Sequence, residues 1–119
     1  MKKVIAILVS AILLCFANTV FADWFTNSTK VTRIASHDWG EVVLVYLESN
    51  VTYQEGCPTN GVVAIKRDHP AFEENFKIAM TALVTQKPVW GWMWGGCYYP
   101  ENAEIGLGMP YVTRLDMYR

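Results

Sequence analysis

The chain is poor in charge, and its positive charges are not clustered. It has 119 residues, of which only 18% are charged, with ten Lys and Arg against eleven Asp and Glu. No block of basic residues could neutralise successive phosphates, which argues against a nucleic-acid partner. An anionic membrane surface is disfavoured as a partner for the same reason.

Motifs of known catalytic and metal centres are also lacking. There is no Gly-x-Ser-x-Gly nucleophile motif. The pairs His37-Asp38 and Asp68-His69 fall at predicted turns, and zinc needs three or four ligands at recognisable spacing. We therefore predict a protein that is not an enzyme, with no catalytic residue, no metal site and no cofactor.

One long hydrophobic run is present, at the N-terminus. Lysines at positions 2 and 3 precede the apolar segment 4–16, and the small residues Val20 and Ala22 stand at −3 and −1 before Asp23. The run is shorter than the roughly 20 residues of a transmembrane helix. It predicts a signal peptide over 1–22, a secreted or periplasmic domain over 23–119, and no membrane insertion after cleavage.

Removal of the leader, which takes Cys15 with it, leaves two cysteines, Cys57 and Cys97. In an oxidising compartment an even pair predicts one disulfide, and the spacing is not the Cys-x-x-Cys of a redox pair. Closing a span of roughly 40 residues restricts the unfolded chain by about 4 kcal/mol in the entropy model. We expect this bond to supply a large share of the stability of so small a domain.

The hydrophobic pattern predicts a mostly β domain with a single helix. Strands are predicted at 30–36, 41–47, 61–66 and 89–94, with one or two more across 103–107 and 111–117. The run 41–47 is apolar without alternation, which predicts burial on both faces. The glycines at 95 and 96 predict a turn that ends the fourth strand.

The helix is expected to begin at a cap formed by Asp68 or His69 and to end around 85–87, before Pro88. A stripe at three- and four-residue steps is expected to face the core. Its members are Phe72, Phe76, Ala79, Met80 and Leu83.

Three strands, a helix and then two or three strands is the order of a small OB-like barrel. We therefore predict a mostly β (α+β) barrel of five to six strands, with the helix between strands three and four and one disulfide. Residues 23–119 would form this single domain.

Several short segments also carry a resemblance that covers 30–119. They are Lys30-Val31-Thr32-Arg33-Ile34, Cys57, the helical segment 76–83, Lys87-Pro88-Val89 and Gly96-Cys97. With them the chain resembles a widespread group of small secreted bacterial proteins of unassigned function. More distantly, it is similar to the OB-type receptor-binding B subunits of pertussis-like and subtilase-type toxins. The resemblance implies a fold; the sugar-binding serine pattern of those subunits is not carried over, and no site residue follows from it.

The candidate binding residues are aromatic. Trp90, Trp92 and Trp94 alternate along one predicted strand, so their rings project from one face, with Tyr98 and Tyr99 close behind. Such a row forms either a surface that stacks on sugars or anchors a protein, or one side of the core.

The opposite face of the same strand decides between these alternatives. It carries Val89, Gly91 and Met93. A glycine on this face would let the helix approach the sheet closely. This favours the tryptophans on the outside, where a ligand or a neighbouring chain would cover them.

These observations predict a secreted, non-catalytic binding module whose partner is a glycan or a protein. Two alternatives remain open. The protein could be a periplasmic inhibitor or accessory protein that inserts the loop 48–60 into a partner enzyme. It could instead be a structural subunit of a homo-oligomer that hides the Trp row.

Overall fold

Six strands and one helix succeed one another in the computed structural model, which describes residues 22–37, 40–50, 57, 61–100 and 108–118. They are β1 (Ala22–Trp24), β2 (Val31–His37), β3 (Val42–Leu47), β4 (Val62–Lys66), α1 (Phe72–Thr85), β5 (Val89–Tyr98) and β6 (Met109–Met117). The mostly β domain with one helix is thus confirmed for these residues. The predicted leader, apart from Ala22, and the predicted strand 103–107 lie outside them.

The strands form one sheet in the order β1-β5-β6-β4-β3-β2. Neighbours are antiparallel except β4 and β6, which run parallel where Ala64 lies opposite Tyr111. The helix follows the third and precedes the fourth of the five longer strands, as predicted. The order ends in β1 and β2, so these strands do not close into a barrel, and the OB identity stays a prediction.

The segment between β1 and β2 also runs along β5. The N–H of Phe25 donates to the carbonyl of Gly91 at 2.9 Å. Thr29 and Val89 then exchange both backbone hydrogen bonds, at 3.0 Å and 2.8 Å. The N-terminal stretch therefore pairs first with β5 and afterwards, as β2, with β3.

Strand β3 is buried on both faces, as its unbroken apolar run predicts. Val45 and Leu47 belong to the inner core, which also contains the buried side of α1. Val42 and Leu44 belong to a second group on the other side of the sheet, the outer cluster. The outer cluster is completed by Val62, Ala64, Tyr98 and Met109.

The helix begins at Phe72, later than predicted, yet His69 still serves its N-terminus. The Nδ1 atom of His69 accepts the N–H of Ala71 at 3.1 Å, and its carbonyl accepts the N–H of Phe72 at 3.0 Å. Ala71, at the N-cap, makes no side-chain capping bond. The helix ends at Thr85, within the predicted interval, and Gln86 takes a left-handed conformation with φ 58°.

The predicted helix stripe is wrong in part, because the buried side is centred on smaller residues. Asn75, Ala79 and Ala82 are buried, whereas Met80 is 40% exposed. The Nδ2 of Asn75 donates to the carbonyl of Thr113 at 3.0 Å, and its Oδ1 accepts the N–H of Leu115 at 3.1 Å. The amide thus ties α1 to β6 on the side of the helix that also carries Ala79 and Ala82.

The predicted turn at Gly95-Gly96 is also wrong, since β5 continues through it to Tyr98. Met93 lies opposite Val112 but Cys97 lies opposite Pro110, so the intervening residues form a bulge. Both glycines have positive φ, 97° and 86°, which favours glycine at these positions. Beyond the bulge, Cys97 forms the predicted disulfide with Cys57.

Gly91 is needed for a reason other than the approach of the helix. A Cβ atom there would lie 2.9 Å from Cζ of Phe25, 3.0 Å from the carbonyl oxygen of Arg114 and 3.1 Å from Cδ2 of Leu115. The glycine therefore makes room for the Phe25 ring against β5 and β6.

Replacement of Gly91 by alanine tests this contact. We expect Gly91→Ala to lower the free energy of unfolding by about 1–2 kcal/mol, since overpacking a close contact forces its neighbours to move. Backbone entropy alone would give the opposite sign, a gain of about 0.4–1 kcal/mol. Urea denaturation distinguishes the two, and a stabilised variant would contradict the steric explanation.

Candidate functional site

The Trp row lies on the outer side of β5, as predicted. Val89, Gly91 and Met93 are buried, whereas Trp90 and Trp92 are half-buried. Trp94 is 49% exposed. The face of each side chain follows from the period of the strand, because neighbours on a strand point to opposite sides.

A fourth tryptophan, Trp24 of β1, packs on this row and was missed by the sequence analysis. Its ring lies 4.2 Å from that of Trp90 at an interplanar angle of 5°, and 4.6 Å from that of Trp92 at 62°. The Nε1–H of Trp90 donates to the carbonyl of Phe25 at 2.9 Å. These three rings largely cover one another, and β1 is too short for its sequence to have signalled the contact.

Charged residues of β6 border the three rings. Arg114 lies opposite Trp92 in the sheet, and its Cζ is 5.6 Å from the centre of the Trp24 ring. Its Nε is also 3.3 Å from Oδ2 of Asp116. Since both side chains are exposed, this ion pair adds little stability, and its effect is to place a polar rim beside the aromatic rings.

Trp94 borders a small cleft of about 90 Å³, here called the Trp94 cleft. It is lined by Lys66, His69, Trp94, Gly95, Tyr111, Val112 and Thr113. Nothing lies within 4 Å of the position of a Cβ on Gly95 or Gly96. The bulge therefore keeps the backbone beside Trp94 accessible from the outside.

A larger cleft of about 450 Å³ adjoins the first one. Lys66 and Tyr111 line both clefts, and the Nζ of Lys66 lies 4.4 Å from the centre of the Tyr111 ring. The other lining residues are Glu41, Val42, Arg67, Asp68 and Tyr98. The two clefts are here called the groove; their lining residues extend from Trp94 to the start of β3 and the turn after β4.

The structure separates the two predicted tyrosines from the Trp row. Tyr98 is buried in the outer cluster, lines the larger cleft, and has its ring 6.1 Å from that of Tyr111. Tyr99 is 60% exposed and lies against Gly108, where an added Cβ would clash with its ring. Of the five predicted residues, Trp94 and Tyr98 therefore line the groove.

Lys66, His69 and Tyr111 were not predicted as site residues. Lys66 and Tyr111 end or begin predicted strands, and His69 was considered as a helix cap, a catalytic residue or a metal ligand. They meet because the parallel contact between β4 and β6 brings distant parts of the chain together. No local pattern in the sequence encodes that contact.

Comparisons of the chain with protein-family models, with curated proteins and with solved structures found no match. Within the described ranges, no three His, Cys, Asp or Glu side chains are grouped so that they could hold a metal ion. The helix of those ranges is not long and apolar enough to cross a membrane. The geometry of the groove is therefore the basis for assigning a function.

Proposed function

We propose that the protein is a secreted, non-catalytic module that binds a glycan in the groove beginning at Trp94. The observation that carries the proposal is the difference between Trp94 and the other tryptophans of the outer face. Trp24 packs against both Trp90 and Trp92, whereas Trp94 is half-exposed and borders a cleft. One indole is thus held at the surface with its ring accessible.

The surroundings of Trp94 suit a sugar. Ring faces of pyranoses carry C–H groups that stack on indole, while the hydroxyl groups around the ring need hydrogen-bonding partners. Lys66, His69 and Thr113 supply polar atoms in the same cleft. An aromatic ring with donors beside it matches both parts of a sugar.

We also propose that the domain has the strand arrangement of an OB fold. The five longer strands run in the order β2-β3-β4-β6-β5, with a parallel contact between β4 and β6, which corresponds to an OB-type arrangement. The paired backbones of Thr29 and Val89 add a contact between the segment before β2 and the start of β5. In this arrangement β3 and β4 correspond to the second and third strands of an OB domain, whose face binds oligosaccharides or oligonucleotides. The larger cleft lies beside the start of β3 and the end of β4.

A protein partner is the second candidate, favoured by the exposed Arg114 beside the three packed tryptophans. Trp, Tyr and Arg are the residues that most often dominate protein interfaces. An inhibitor acting through 48–60 is a further alternative, and most of that loop lies outside the described residues. The last alternative is a homo-oligomer whose subunits cover the outer face of β5. The disulfide is compatible with each of these alternatives in an extracellular setting.

Binding to a glycan array tests the proposal, with Trp94→Ala as the variant. We expect the wild type to bind a defined set of glycans and Trp94→Ala to lose at least about tenfold in affinity, because the stacking surface is removed. Folding should be little affected, with a change below about 1 kcal/mol in the free energy of unfolding, since the ring is half-exposed.

Tyr118→Ala is the matched control, because Tyr118 is also an exposed aromatic residue but does not line the groove. It should bind as the wild type does. Size-exclusion chromatography with light scattering tests the alternative of a homo-oligomer. A wild-type oligomer that Trp94→Ala converts to a monomer, without glycan binding, would contradict the proposal in favour of self-assembly.

A further inference from the structure

We infer that the Trp94 cleft accepts an acidic sugar, a pyranose whose carboxylate is bound by the ammonium group of Lys66. The inference rests on the proposed function and names the class of glycan. Among the described residues that line this cleft, Lys66 supplies an ammonium group. No Asp or Glu is among the described residues that line it, so its charge is positive.

The ammonium group of Lys66 is not held by a carboxylate of the described residues. In those ranges an ion pair joins Arg114 and Asp116, beside the Trp row. Lys66 lies instead over the ring of Tyr111, 4.4 Å from its centre. A cation–π contact positions an ammonium group and leaves N–H donors for an anion.

His69 adds a donor to the same cleft. Because its Nδ1 accepts the N–H of Ala71, the neutral ring carries its proton on Nε2. That nitrogen can only donate, and its partner on a ligand must be an acceptor. Lys66 and His69 thus both match the oxygens of a carboxylate.

The lining of the cleft assigns the parts of the sugar. Lys66 and His69 supply the donors for a carboxylate, and Trp94 supplies the surface for the sugar ring. The sugar ring would therefore lie on Trp94, with the carboxylate inside. Further sugars would extend into the larger cleft, where Glu41 and Asp68 offset Lys66 and Arg67.

Matched glycosides test the inference. The methyl β-glycosides of galactose and glucose are each compared with the corresponding uronate, which differs only in a carboxylate at C6. Binding is followed by NMR through the indole N–H signal of Trp94. At low salt we expect the uronate of at least one pair to bind about tenfold more tightly, because a charge-assisted hydrogen bond is added. The ratio of the uronate and hexoside affinities should be smaller in 0.5 M NaCl, because salt screens the attraction between exposed charges.

Lys66→Met removes the charge and keeps the length of the side chain, so the ratio of the two affinities should fall to about one. Lys77→Met is the control, since Lys77 is an exposed lysine on α1 that does not line the groove, and it should keep the preference. Equal binding of hexose and uronate would overturn the acidic-sugar inference and leave glycan binding intact. A preference that survives in Lys66→Met would overturn the role of Lys66, and no response to any glycoside would overturn both proposals.

Discussion

Asn75→Ala is expected to lower the free energy of unfolding by about 3 kcal/mol, although it replaces a polar residue in a helix with the best helix former. The Asn75 side chain is buried and satisfies two backbone groups of β6, the carbonyl of Thr113 and the N–H of Leu115. Its removal leaves both groups without this partner in the interior, and each such loss costs about 1–3 kcal/mol. Urea denaturation followed by far-UV circular dichroism measures the change.

Glu74→Ala is the control for this experiment, because Glu74 is the neighbouring helical residue and is exposed. Its effect should stay within about 0.5 kcal/mol. If Asn75→Ala were no more destabilising than Glu74→Ala, the amide contacts between α1 and β6 would not hold the helix in place.

Cys97→Ser is expected to lower the melting temperature by on the order of 10 °C or more. The disulfide joins residues 40 positions apart. Without it the unfolded chain gains conformational entropy, which lowers the free energy of unfolding by about 3–4 kcal/mol in the chain-entropy model. It also frees the end of β5 just after Gly95 and Gly96, whose backbone has the least side-chain support. Differential scanning calorimetry gives the melting temperature.

Reduction of the wild type supplies an independent control. Protein treated with a thiol reductant should melt near the temperature of Cys97→Ser, and Cys57→Ser should behave in the same way. A variant that melts within about 2 °C of the wild type would show that the bond contributes little to stability.

The sequence predicted those features that local periodicity or simple pairing determines. Strand β3 was recognised because an unbroken apolar run has no polar face. That the three tryptophans of β5 share one face followed from strict alternation, and the disulfide followed from an even number of cysteines in the predicted mature chain. Their outward side was predicted from a close approach of the helix to Gly91, where the structure instead places the ring of Phe25.

The features that were missed depend on distant partners. The buried face of α1 was predicted to contain Phe76 and Met80 and not Asn75. A polar side chain is buried only where it can hydrogen-bond, and the partners of Asn75 are backbone groups of the distant strand β6. Gly95 and Gly96 form a bulge instead of a turn because β6 continues to pair beyond them. The groove escaped prediction for the same reason, since β4 and β6 meet only in the folded sheet.

The pairing of β1 with β5 also bears on how the chain folds. Trp24 and Trp92 are neighbours in the sheet but about seventy residues apart in the chain, so this contact closes a long loop and forms slowly. The hairpins β2–β3 and β3–β4 need only local encounters and can form first. Trp24 reaches Trp90 and Trp92 only when β5 is in place, so quenching or shifting of tryptophan fluorescence would report the last stage of folding rather than the first.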